Sequence, residues 1–112
     1  MTPLETHLND LAARGQTTTY GTLARTLGLT GPATIAQLTT ALEALMEHDA
    51  TQNHPFRAAL VSGRLNNDLP AQGFFAKAAE LGRYDGGDPA EFVAAERKAL
   101  STFHIGPNNP QV

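Results

Sequence analysis

Two imidazoles and a carboxylate fall close together in the chain, at His48, Asp49 and His54. Imidazole with carboxylate is a zinc-binding donor set, but a zinc site needs three or four placed ligands. This spacing follows none of the standard patterns, so no metal is expected. A hydrolase has no support either, because serine and histidine occur without the G-x-S-x-G setting of a nucleophile elbow. The glycines of "GRYDGGD" (82–88) follow no strand and precede no Lys-Ser/Thr pair, which makes them a turn rather than a phosphate loop. The chain contains no cysteine, which removes disulfides, thiolate ligands and a cysteine nucleophile together. The expectation is a protein without catalytic residues or cofactor.

The side chains suited to meeting a partner are of another kind. Tyr20 ends the run "TTTY" and can reach a phosphate, or pack at a helix start as a half-buried phenol. Thr34 and Gln37 carry groups that can read base edges. Arg57 and Arg64 flank a short apolar run, and Arg14 and Arg25 lie near the turn before it. Together they form either a small basic edge or ordinary surface. Phe74 and Phe75 stand side by side in "LPAQGFF" (69–75). Successive helical residues point about 100° apart, so one ring can face the core and the other a partner, or both can be core.

These residues need elements to hold them. The chain has 112 residues, of which 41% are hydrophobic and 17% charged. The length fits one domain, and the charged share lies below the usual quarter, so the chain reads as globular. A net charge of −3 and a pI near 5.7 give no global attraction to nucleic acid or to anionic membranes. No basic segment leads into an apolar one at the start, and no apolar run approaches the ~18 residues of a membrane span. A cytoplasmic protein without membrane contact is expected.

Thr2, Pro3 and Glu5 form a capping box with proline at the first helical position. Leu4, Leu8, Leu11 and Ala12 then recur at helical spacing, and Gly15 suits a left-handed stop. A helix over 3–14 follows. Three successive threonines favour extended backbone, which places a short strand at 17–18 and a threonine cap before a helix over 20–27. Gly31-Pro32 marks a turn. Ile35, Leu38, Leu42, Leu45 and Met46 stripe a helix over 33–48, with Glu43, Glu47 and Asp49 expected as a solvated acidic end. Residues 49–55 read as a polar loop and 56–62 as a strand. The Gly-, Asn- and Pro-rich stretch 63–73 reads as a loop or wing. A short helix over 74–81 and a helix over 89–103 complete the order. The fold class expected is mainly α with a small β-sheet, a winged helix-turn-helix-like domain over 1–105 with a loose tail over 106–112.

The run "GQTTTYGTLARTLGL" (15–29) resembles the start of the DNA-binding domain of O6-alkylguanine-DNA alkyltransferases and alkyltransferase-like proteins, in which a "TTYGELA" phrase opens the first helix of a helix-turn-helix. "TIAQLTTAL" (34–42) is similar to the recognition helix of that family, and "PFRAALVSGRL" (55–65) to its "PCHRVV…DGRL" active-site strand and turn. The resemblance implies a winged-helix fold and contact with DNA. It also marks two departures. Phe56 stands where the family has its nucleophilic cysteine, so thiolate-based alkyl transfer is excluded. No Lys or Arg lies between Arg25 and Arg57, so the arginine finger of the recognition helix is missing. "LPAQGFFAKAAELG" (69–82) resembles a phrase of uncharacterised bacterial winged-helix-like proteins, which implies fold alone. The expected function is a non-enzymatic winged-helix module with weak affinity for duplex DNA through Tyr20, Thr34, Gln37, Arg57 and Arg64. The alternatives are a protein-binding module, using Phe74 and Phe75 or an acidic third helix, and an alkyltransferase-like lesion sensor.

Overall fold

The computed structural model describes residues 2–63 and 67–102. Five helices carry most of the described chain, with a parallel sheet of two short strands. Helix α1 (Pro3–Arg14) begins with the reciprocal cap that its sequence announces. The Glu5 N–H donates to Thr2 Oγ1 at 3.1 Å, and the Thr2 N–H donates to Glu5 Oε1 at 2.9 Å. Two donors that a helix start leaves without intrahelical partners are thereby satisfied. Gly15 ends the helix at φ +67°, a conformation that a residue with a Cβ rarely adopts.

Strand β1 (Thr18–Thr19) leads without a break into α2 (Tyr20–Thr26), capped by Thr19. The strand lies one residue beyond the expected 17–18. Helix α3 (Thr34–Thr51) runs three residues past the expected end. The reason is Asp49. It is not part of a solvated acidic end but is fully buried, and its ion pair holds the last turn in helical form.

The expected strand over 56–62 is mostly something else. Arg57–Leu60 is a 3₁₀ segment, and β2 is Val61–Ser62. A short apolar run bounded by turn residues fits a buried strand or a buried helical turn equally well by pattern. Two alanines and the anchoring of Arg57 at its first position decide for the turn. The segment packs on α1, α3 and α5 at once and forms the centre of the molecule. Beyond it β2 pairs parallel to β1, Thr18 opposite Val61 and Thr19 opposite Ser62. Parallel neighbours need a crossover connection, supplied here by α2 and α3.

Of the expected wing, Gly63 and 67–73 are described. The Gly63 N–H donates to the Leu69 carbonyl, and Asn67 and Asp68 take left-handed backbone. No further strand occurs among the described residues. Helix α4 (Gln72–Glu80) begins two residues before the expected 74, and α5 (Pro89–Thr102) closes the described chain. The core runs from Leu4, Leu8 and Leu11 through Leu23, Leu38 and Met46 to Val93 and Leu100. Beside it Phe56, Phe74, Phe75, Tyr84 and Phe92 form a continuous set of ring contacts with centroids 5.0–6.5 Å apart. No described helix is long and apolar enough to cross a membrane. The expected tail over 106–112 lies outside the described residues.

Candidate nucleic-acid interface

Tyr20 opens α2 directly behind β1, so its position is fixed by the strand pairing. Its ring is half-buried, and its hydroxyl is not bathed in water but accepts the Ala71 N–H at 2.9 Å. Burial raises the phenol above the ordinary tyrosine value, and the Ala71 bond opposes that rise. The residue therefore ties α2 to the approach of α4. Thr34 and Gln37 lie in the first turn of α3. Thr34 Oγ1 donates to the Gly31 carbonyl at 2.7 Å, and Gln37 is exposed.

Arg57 needs correction as a surface residue. It is 2% exposed and sits inside the core. Its Nη2 lies 2.6 Å and its Nε 3.1 Å from Asp49 Oδ1, and its backbone N–H donates to Asp49 Oδ2 at 3.0 Å. Nη1 donates to Asn9 Oδ1 at 3.1 Å, and Glu5 Oε2 stands 3.6 Å from Nη2. The guanidinium is spent on α1 and α3 and offers no face to a phosphate. Arg64, the other arginine expected at this edge, lies outside the described residues.

Phe74 is a core ring, and Phe75 packs half-buried against Phe74, Tyr84 and Phe92. The pair serves the aromatic set rather than standing open to a partner. Arg83 closes that set, with its guanidinium carbon 4.0 Å from the Phe56 ring centroid. Glu96 Oε1 accepts from both the Phe56 N–H and Arg83 Nη2. Phe56, where a nucleophile stands in the family that the chain resembles, is fully buried. Among the described residues no three His, Asp or Glu side chains gather as a metal site.

The basic side chains divide sharply. Arg14 pairs with Asp10, Arg57 with Asp49, Lys77 with Glu47 and Glu80, Arg83 with Glu96, and Arg97 with Asp68. Hydrogen bonds that Lys77 donates to Glu47 and Glu80 raise its pKa and hold it charged. Among the described residues Arg25 and Lys98 are the basic side chains with no carboxylate at ion-pairing distance, and both are exposed. Arg25 lies over the start of α2, with Nη2 donating to Thr22 Oγ1 at 3.3 Å. Lys98 borders a shallow cavity with Gln16, Thr17 and Ser101. Lys98 was missed as a candidate, although a signal existed. Neither Arg25 nor Lys98 has an acidic residue three or four positions away, the spacing at which helical neighbours neutralise each other.

Compared with protein-family models, curated proteins and solved structures, the chain matches none.

Proposed function

We propose that this protein is a non-enzymatic winged-helix-like module that binds duplex DNA weakly. One observation carries the reading. The two phrases that resemble the alkyltransferase family, 15–29 and 55–65, are far apart in the chain and meet strand to strand. Thr18 and Thr19 of the first pair with Val61 and Ser62 of the second, and Ser62 Oγ donates to the Thr18 carbonyl at 3.3 Å. A shared architecture accounts for two separate likenesses becoming one sheet. The finer description as a winged helix rests on the same order of elements, with Gly63 and 67–73 following β2 where a wing would begin and end.

Affinity follows from charge. Lys and Arg neutralising phosphates supply most non-specific affinity, and most described cations here are held by carboxylates. Titration of a random-sequence duplex across a salt series should therefore show a dissociation constant no tighter than roughly 10⁻⁴–10⁻⁶ M at physiological salt, with a shallow salt slope. Absence of binding even at low salt, where phosphate contacts are strongest, refutes the reading.

A protein-binding module is the second reading, favoured by a different observation. An apolar groove of about 480 Å³ runs between the start of α1, Leu27 and the Ala41, Ala44, Leu45 side of α3. Such a groove on a domain of net charge −3 suits a protein surface better than a phosphate backbone. It is the working alternative if the DNA titration is blank.

A further inference from the structure

We propose that the nucleic-acid backbone is gripped by Arg25 and Lys98 across the threonine run of β1, and not by α3. This rests on the DNA reading above and names its contact face. Helix α3, in the position of a recognition helix, carries no lysine or arginine, and its Glu43 would repel phosphates. The two described Lys or Arg side chains without a carboxylate lie elsewhere, one toward each end of β1. Lys98 of α5 stands beside Gln16 and Thr17 at the entrance to β1. Arg25 folds back over Gly21 and Thr22, where β1 passes into α2. A Cβ on Gly21 would lie 3.8 Å from Arg25 Nη1, which puts the guanidinium beside Gly21.

The chain bounds the backbone distance between the two ends. From Thr17 to Gly21 is four residues, at most about 14 Å when fully extended. That is a span of a few phosphates along one strand, each about 3.4 Å further along the duplex axis. Threonine hydroxyls are ordinary phosphate donors, and Thr17 and Thr22 are exposed. Contacts of these groups with phosphodiester oxygens carry no sequence information, so binding through them is sequence-independent.

The test is fluorescence anisotropy of a random-sequence duplex with the full chain, from about 50 to 200 mM salt. Two phosphate contacts predict a loss of affinity of about 12-fold over that range, at a slope of about −0.9 per contact. Arg25→Ala and Lys98→Ala should each reduce the loss to about 3.5-fold, and the double variant should remove it. Arg25→Lys and Lys98→Arg should keep the parent slope. Both positions are exposed, and an unchanged melting temperature verifies that the variants are folded. Binding whose slope survives the double variant overturns this inference and leaves the DNA reading standing. No binding by the parent protein overturns both.

Discussion

Arg57 and Asp49 are the residues on which stability turns. Each is nearly inaccessible, and a charge taken out of water is tolerated only when paired and hydrogen-bonded. Asp49 receives the Arg57 backbone N–H as well as its guanidinium, so removing either partner strands the other. Arg57→Ala and Asp49→Ala should each cost about 3–5 kcal/mol, read as a fall in urea midpoint. Replacing the pair together by Met and Leu should recover much of that loss. Glu5 adds a pH dependence. The Thr2 N–H, and more weakly the Arg57 charge, hold its carboxyl below the ordinary 4.5, against a desolvation that raises it. Its folded pKa is depressed, so its contribution is complete above the unfolded value and is lost as pH falls through the lower folded one. Below pH 4.5 the parent protein should therefore lose stability faster than Glu5→Gln, measured by thermal midpoints from pH 3 to 7. At this scale the sequence is legible where a residue acts on near neighbours. Thr2, Pro3, Glu5 and Gly15 act within a turn of themselves, and each was assigned its role. Arg57 acts on Asp49, Asn9 and Glu5 across three elements. Arginine is almost never fully buried unless paired, and nothing local marks this one as paired.

Elements show the same division. Caps and glycines placed the five helices within a few residues, because helix ends are chosen by local chemistry. The apolar pattern of 57–60 suggests a strand, whereas the 3₁₀ form of Arg57–Leu60 is dictated by what surrounds it. That setting predicts its behaviour. Wedged among α1, α3 and α5, the amides of Ala59 and its neighbours should exchange with solvent only through global unfolding. Exchange faster than that of core α3 amides would show that the segment opens on its own. Tyr20 joins two elements by a single bond, from the Ala71 N–H to its hydroxyl. Tyr20→Phe leaves that donor without its partner and should cost about 1–3 kcal/mol in a denaturant titration. Phe74 joins three, touching the rings of Phe56, Phe75 and Phe92. Phe74→Ala should cost about 3–5 kcal/mol.

Across the whole molecule, charge is distributed so that attraction is mostly internal. Lys77, Arg83 and Arg97 tie elements together: Lys77 joins α4 to Glu47 of α3, Arg83 reaches Glu96 of α5, and Arg97 joins α5 to Asp68 and to the Ala59 carbonyl. Composition alone made the protein mildly acidic, yet it could not show that the cations were already engaged. That fact depends on which acids the fold brings near, and it moves the candidate DNA contacts from Arg57 to Arg25 and Lys98. A domain whose cations act as internal staples should bind its partner with little dependence on net charge. Neutralising exposed Glu91 or Asp85, far along the chain from β1, should alter the random-duplex affinity by less than the Arg25→Ala change.

The sheet of two strands has a consequence for the order of folding. Asp49 and Arg57 are separated by 8 positions, whereas the Thr18 to Ser62 link spans 44. Closing the longer loop costs about 1.5 kcal/mol more in chain entropy. The hairpin of α3 and the 3₁₀ segment is thus the economical nucleus, with β1 joining afterwards. Met46→Ala should slow refolding, while Val61→Ala should chiefly hasten unfolding. In stopped-flow experiments, the reverse assignment of the two rate effects would place strand pairing before the hairpin.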